Sequence, residues 1–239
     1  MTVYIYRQAP SEGAVALAAA LTARELPARK IRRIPRRWNP ETARVVFWGS
    51  VFPEYHGDDF AGTLNDVAVL GKLAELRMLT DAGVPTVEFD NGVGAAREGE
   101  TWLGRANSHI GGADLLAPPA RPDYWVKKED ITREYRLHIF RGQSIRAGRK
   151  EKFREDAHPW IRSHDAGWHL VYDGHGVTDR HRDAAKQAVT ALGLDFGAVD
   201  VGERADGSVL VFEVNRAPGL EGNTIAAYAT AIQSWANEG

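Results

Sequence analysis

Apolar positions recur along the chain with two spacings, and the switches between them mark out its elements. Val3 to Tyr6 predicts a short strand, and the alanine-rich run from about Ser11 to Leu26 predicts a closely packed helix. Val45 to Trp48 predicts a second strand, so residues 1–64 read as a small α/β unit with an Arg/Pro-rich stretch as its irregular connection. Asn65 or Asp66 is placed to cap a helix through about Ala82, in which Val67, Leu70, Leu73 and Leu76 have helical spacing and Gly83 supplies the stop. Val84 to Phe89 begins another extended segment, and residues 101–146 alternate short β-like runs with glycine-rich turns. Residues 180–192 predict a helix stopped by Gly193, and Asn223 can cap a final helix with Ile225, Tyr228, Ile232 and Trp235 on one side.

Between those last two helices the pattern is that of a hairpin. Asp206-Gly207 suits a two-residue type I′ turn, because both residues tolerate positive φ. That turn sets Asp200 directly opposite Glu213, and a four-residue loop over Arg204 to Gly207 would shift the register by two and keep the same faces. Side chains alternate along strands, so Asp200, Glu213 and Asn215 share one face while Val199, Val201, Phe212 and Val214 share the other. Facing carboxylates repel by a few tenths to about 1 kcal/mol, which calls for a cation between them. Two carboxylates and an amide suit Mg²⁺, which keeps vacancies for water and phosphate oxygens. A solvated hairpin with scattered acids has the same spacing.

Composition narrows the class. With 239 residues, 44% hydrophobic and 26% charged, the chain can build one large domain or two small ones. It contains no cysteine, which excludes disulfides and thiolate metal sites. Neither a signal-peptide apolar region nor a run of about 18 apolar residues occurs, so the expectation is a cytoplasmic protein with no membrane partner. The net charge of −2 gives no global polyanion signal, but residues 24–37 hold Arg24, Arg29, Lys30, Arg32, Arg33, Arg36 and Arg37. The sequence sets no oligomeric state.

The middle of the chain carries a second set of chemical residues. Trp102 to Gly112 reads as a strand, bearing Arg105, that ends in a polar glycine-containing loop of the kind whose N–H groups can close over phosphate, although ordinary turns share that composition. Tyr124-Trp125-Val126-Lys127 is an apolar strand that breaks into charge. On the strand from Glu134 to Phe140, Glu134, Arg136 and His138 share a face, where the arginine can hold an oxyanion bidentately or form a salt bridge within the sheet. His158, His164, His169, His175 and His181, with Asp165, Asp173 and Asp179 among them, fit no standard zinc spacing.

Taken in order, these pieces resemble the ATP-grasp superfamily, specifically carboxylate–amine ligases similar to the glutamate ligases that modify a ribosomal protein. The likeness runs from about Asn65 to Ala231 and is strongest from Gly193 to Gly222, in Gly-Leu-Asp-Phe-Gly-Ala-Val-Asp200 and Phe-Glu213-Val-Asn215-Arg-Ala-Pro-Gly219. It implies an α/β (α+β) fold in which two lobes, about 65–122 and 123–239, grip ATP behind the small unit of residues 1–64. It implies Mg²⁺ (or Mn²⁺) on Asp200, Glu213 and Asn215. It further implies phosphate contacts from Arg105, where the family usually has lysine, and from Lys150, and an adenine hinge at Trp125, Val126 and Lys127. Arg136 and Arg162 would face the reacting groups, with Ser163 in place of the family's frequent asparagine. Lys72 is read as structural.

The resemblance implies activation of a carboxylate as an acyl phosphate, followed by attack of an amine, on a small molecule or a peptide. Two other classes stay open: a phosphotransferase on the same fold, and a non-catalytic nucleotide-binding protein that meets a nucleic acid or another polyanion through residues 24–37.

Overall fold

A computed structural model of the chain describes residues 1–33, 39, 41–50, 62–91, 100–107, 113–116 and 119–238. Its first unit comprises β1 (Thr2–Tyr6), α1 (Glu12–Thr22), β2 (Ala28–Ile31), β3 (Ala43–Phe47) and β4 (Thr63–Leu64), in a parallel sheet of order β2-β1-β3-β4. The Ser11 hydroxyl caps α1 by accepting the Ala14 N–H at 3.2 Å. The helix stops at Thr22, short of Leu26, because Glu25 takes a left-handed φ of 63° and Pro27 follows. Strand β2 forms inside the stretch expected to be irregular. As an edge strand it can leave Arg29 in solvent while its backbone pairs with β1. Arg36 and Arg37 lie outside the described residues.

This sheet shares its core with the far end of the chain. Val3, Ile5, Val46 and Trp48 pack with Leu17 and Leu21 of α1 and with Tyr228 and Ile232 of α5 (Asn223–Asn237). The Trp48 ring stacks on Phe196 with centroids 5.2 Å apart and meets Tyr228 edge-on at 5.4 Å.

Next come α2 (Lys72–Asp81), β5 (Phe89–Asp90), β6 (Trp102–Arg105), the short α3 (Ala113–Leu116) and β7 (Tyr124–Lys127), whose strands form an antiparallel sheet of order β5-β7-β6. β7 pairs with both β5 and β6, so Tyr124–Lys127 belongs to this three-stranded sheet, and Lys128 to Asp130 lead from it into the next strand. Helix α2 begins at Lys72, not at Asn65 or Asp66. Gly71 holds its N-cap, and Asn107 supplies the cap from another element, with Oδ1 accepting the Leu73 N–H at 3.0 Å.

Asn65 has a different task. It is 1% exposed with φ 58°; its side chain accepts the N–H groups of Asp195 and Phe196 at 2.8 and 3.0 Å and donates to the Phe196 carbonyl at 2.9 Å. It therefore pins the segment leaving β4 to the start of β11.

The second lobe is a five-stranded antiparallel sheet built from β8 (Ile131–Phe140), β9 (Gln143–Lys152), β10 (Trp168–Val171), β11 (Phe196–Arg204) and β12 (Val209–Asn215), in the order β10-β9-β8-β11-β12. One face carries Tyr135, Leu137, Ile139, Val199, Val201, Val211 and Val214 against α4 (Asp179–Ala191), whose Ala184, Ala185 and Ala188 allow close approach. Segment 84–87 covers the β12 edge, with Thr86 Oγ1 donating to the Val211 carbonyl at 2.7 Å and the Val211 N–H to the Pro85 carbonyl at 2.7 Å. The opposite face looks across a cavity at the three-stranded sheet.

Replacing Asn65 by alanine strands three buried backbone groups and puts a Cβ without compensation at positive φ. The variant is expected to lose about 3 kcal/mol of stability in urea unfolding.

Candidate active site

The hairpin of β11 and β12 presents the acidic residues by a route that differs from the expected one. Its loop has three residues, Ala205 to Gly207, closed by the Arg204 N–H on the Ser208 carbonyl at 2.9 Å and the Gly207 N–H on the Arg204 carbonyl at 3.0 Å. Gly207 takes φ 77°, the left-handed position such a loop requires. Three residues in place of two slip the register by one, so Val201 pairs with Val211. Carried on, that register would set Phe212 opposite Asp200 and turn Glu213 away.

A bulge between Asp200 and Val201 restores the pairing, and Asp200 lies opposite Glu213 as the sequence implied. The extra residue is Phe212. It is not on the Val199 face; its ring lies on the cavity side over Gly202, where a Cβ would stand 2.8 Å from Phe212 Cε2.

Arg136 on β8 is the other neighbour of Asp200, so Arg136, Asp200 and Glu213 form one row across three strands. Arg136 holds Asp200 bidentately, with Nε to Oδ1 at 2.6 Å and Nη2 to Oδ2 at 2.7 Å. Lys150 Nζ stands 3.7 Å from Asp200 Oδ2 and bonds to Glu134 Oε1. Lys72 Nζ donates to Glu213 Oε2 at 2.8 Å, and Asn215 Nδ2 donates to Glu213 Oε1 at 2.9 Å.

Burial alone would raise the Asp200 carboxyl, but Arg136 and then Lys150 outweigh it and hold it far below the usual carboxylate range. Burial likewise opposes ionisation of Glu213, and Lys72 reverses the balance and lowers it. Glu134 is raised, chiefly by burial, while Lys150 stays charged because Glu134 and Asp200 overcome its desolvation.

The cavity between the lobes measures about 800 Å³. Leu76, Val87, Leu103, Val126, Ile131 and Phe212, which pack in one cluster, give it an apolar slot, and Lys72, Arg105, Arg136, Lys150, Asp200 and Glu213 give it a charged lining.

Of the residues singled out in the sequence, Arg105, Val126, Lys127, Arg136, Lys150, Arg162, Asp200 and Glu213 line this cavity together. Arg105 Nε bonds to Asp114 Oδ2 at 2.7 Å, and Lys127 Nζ to Glu100 Oε1 at 2.5 Å. Arg162 donates to the Ile131 carbonyl at 2.7 Å and lies over the Trp168 ring at 4.9 Å. Asn215 reaches the site through Glu213.

Two placements add to the expectation. Trp125 is not among the residues that line the cavity, whereas its neighbours Tyr124, Val126 and Lys127 are. Lys72, read as structural, is a member of the charged group. Its signal was a lysine at the first turn of a helix, where only the fold could reveal its pairing with a residue 141 positions away. The glycine-containing loop at 108–112 lies outside the described residues.

Tyr172 on the cavity wall closes a buried polar chain that the sequence did not announce. His138, fully buried, bonds through Nε2 to the Tyr172 hydroxyl at 3.1 Å and through Nδ1 to the Tyr228 hydroxyl at 3.2 Å. Gly148 leaves room for the Tyr172 ring, which a Cβ there would meet at 2.7 Å.

No protein-family model and no curated protein sequence matches the chain. Solved structures do. The macrocyclase MdnC of Microcystis aeruginosa MRC, bound with the precursor peptide MdnA, superposes with a TM-score of 0.65 at 12% identity over 97% of this chain and 99% of that one. The ATP-grasp ligase PsnB, complexed with minimal precursor, Mg and ADP, gives 0.64 at 15% identity over 98% and 96%. This chain has the ATP-grasp fold. The RimK-domain ATP-grasp protein of Sphaerobacter thermophilus DSM 20745 agrees, with a TM-score of 0.61 at 14% identity over 100% and 98%.

Whether a divalent metal can sit between the facing carboxylates depends on the donors at hand. Among the described residues no group of three His, Cys, Asp or Glu is placed to hold one, so a metal here would rest on two carboxylates and an amide. Each Asp200 and Glu213 oxygen that accepts one hydrogen bond keeps a second lone pair, and the two residues face each other across the strands. The donor set fits a hard cation.

Burial drives the His138 imidazole down to about 3 from its ordinary value, so the folded state holds it neutral where the unfolded chain takes up a proton. Its contribution to stability is present above about pH 6.5 and is lost as pH falls toward 3. His138→Gln is expected to flatten the acid limb of the stability–pH curve between those values, by up to about 4 kcal/mol at the low end, read by urea unfolding.

Proposed function

We propose that this protein is an ATP-dependent ligase that joins a carboxylate to an amine on a peptide substrate, releasing ADP and phosphate in the cytoplasm. The observation that carries the reading is the cavity itself: an apolar slot continuous with a cross-strand row of Arg136, Asp200 and Glu213, inside the ATP-grasp fold. Similar solved ligases bind ADP with Mg or precursor peptides, which supports the nucleotide, the metal and a peptide as substrate. Among the described residues no helix is long and apolar enough to cross a membrane.

In this reading adenine enters between Val126, Leu103 and Phe212, and the triphosphate extends toward Lys72, Arg105 and Lys150. Mg²⁺ on Asp200, Glu213 and Asn215 would neutralise the phosphates and polarise the one transferred. A substrate carboxylate oxygen bonds to the γ-phosphorus as the bond to the ADP oxygen breaks, giving an acyl phosphate. An amine then bonds to the acyl carbon, and phosphate leaves as the amine loses a proton to solvent or to phosphate.

Arg136 spends two N–H groups on Asp200 and keeps three, enough to meet negative charge that grows on the acyl and phosphoryl oxygens. Arg162, fixed by the Ile131 carbonyl and Trp168, adds positive charge at the same wall.

Glu213→Gln keeps the size and the Asn215 contact but removes the charge, and is expected to lower Mg·ATP turnover by more than about 100-fold with the fold intact by circular dichroism. Asp200→Asn should match that loss and also cost about 3 kcal/mol of stability, because it leaves the buried Arg136 without its counter-charge. Lys72→Met is expected to raise the KM for ATP by about tenfold. The deciding assay follows ADP release with and without a carboxylate-bearing peptide and an amine. Release that needs both, with an amide product by mass spectrometry, supports ligation; a stable phosphorylated product would assign phosphotransfer in its place.

A further inference from the structure

The described basic residues of the first unit do not line the cavity, yet part of them gathers at one point. The Arg7 N–H donates to the Ile31 carbonyl at 3.0 Å, which continues the β1–β2 register and sets Arg7 level with Arg32, one step beyond Ile5 and Lys30. The Trp48 N–H donates to the Tyr6 carbonyl at 2.9 Å, so Trp48 flanks Arg7 on the other side, and its carbonyl accepts Arg7 Nη1 at 3.0 Å. Among the described residues no carboxylate forms an ion pair with Arg7, Lys30 or Arg32, and the buried Arg7 Nε finds no acceptor. Burial, Arg32 and Arg7 together lower the Lys30 pKa, as cations close to one another must.

This cluster occupies the place where α/β sheets bind ligands. Strands β2 and β3 lie on opposite sides of β1, so the chain leaves β1 toward one side and returns on the other, opening a crevice at the carboxyl ends of the strands. The capped N-terminus of α1 follows a few residues after Arg7 and adds its own positive potential.

One loop separates the crevice from the cavity. Gly49, with φ 65°, lets the Arg7 guanidinium and Ala217 close in, for a Cβ there would meet Arg7 Nη1 and come within 2.6 Å of Ala217 Cβ. Gly13 of α1 lies against Pro218 and Leu220 of the same loop, whose Gly219 and Glu221 face the cavity.

We propose that Arg7, Lys30 and Arg32 form a docking site for side-chain carboxylates of the peptide substrate, holding an acidic segment beside the loop through which the substrate reaches the cavity. The inference rests on the ligase reading. An acidic peptide is favoured over nucleic acid because the cations form a cluster at one strand end instead of a track, and the adjacent Trp48 is fully buried and offers no base a stacking face. The fork of the exposed Arg32 matches a carboxylate bidentately, with Arg7 and Lys30 adding charge beside it.

The test uses the full chain, a fluorescein-labelled ten-residue polyglutamate peptide followed by anisotropy, and a fluorescent ADP followed in parallel. Lys30→Glu/Arg32→Glu, on an edge strand, is expected to weaken the peptide at least tenfold and to leave ADP affinity within twofold; Arg7→Met should weaken the peptide about fivefold. Unchanged peptide affinity in both folded variants overturns the proposal, as does failure of the wild-type chain to bind the peptide. Displacement of the peptide by inorganic phosphate or by an RNA oligonucleotide at equal or lower charge concentration also overturns it. Peptide binding that depends on Lys30 and Arg32 supports the crevice even if wild-type ADP binding is absent, a result that counts against the ligase reading alone.

Discussion

The bidentate pair of Arg136 with Asp200 fixes the centre of the molecule. Either ion, left alone in so buried a sheet, would cost several kcal/mol, and together they are tolerable because two parallel hydrogen bonds satisfy both carboxylate oxygens. The pair also sets the order around it: Lys150 is held between Asp200 and Glu134, and Lys72 answers Glu213 one strand away. Three cations, Arg136, Lys150 and Lys72, answer three carboxylates, Asp200, Glu134 and Glu213, so the group stays close to neutral while remaining dense in hydrogen-bonding groups. The stabilising contacts within the protein and the charged lining of the cavity are thus the same side chains.

A second constraint is geometric. The row faces the cavity only because two deviations cancel: a three-residue loop slips the hairpin by one residue, and the Phe212 bulge slips it back. Glycine at 202 leaves room for the displaced ring, which then becomes part of the apolar slot. An irregularity in pairing therefore supplies both the acidic face and a wall for a heterocycle.

The lobes are tied to the N-terminal sheet by contacts that cross most of the chain. Asn65 bonds to Asp195 and Phe196, and Arg216 donates to the Val67 and Ala68 carbonyls at 2.5 and 2.6 Å. The loop that follows Asn215 consequently has the strand ends of the first sheet on one side and the cavity on the other. Through this shared loop the charge cluster of the first unit adjoins the cavity.

Much of this was legible in the chain itself. The shared face of Asp200, Glu213 and Asn215 was expected from alternation and a two-residue turn, and the pairing of Asp200 with Glu213 holds only because the longer loop and the Phe212 bulge cancel; the ATP-grasp resemblance followed from the same segment. Helix existence was likewise local, as in 180–192 before Gly193. What the chain could not give were features set by partners far away: the Asn107 cap that starts α2 at Lys72, the strand β2 made from a basic stretch by pairing with β1, and the inward turn of Lys72 toward Glu213. His138 looked like one more polar residue on a strand, and only packing against Tyr172 and Tyr228 makes it a neutral buried link. Propensity and period act over a few residues, whereas burial and charge pairing are decided by whatever the fold brings alongside.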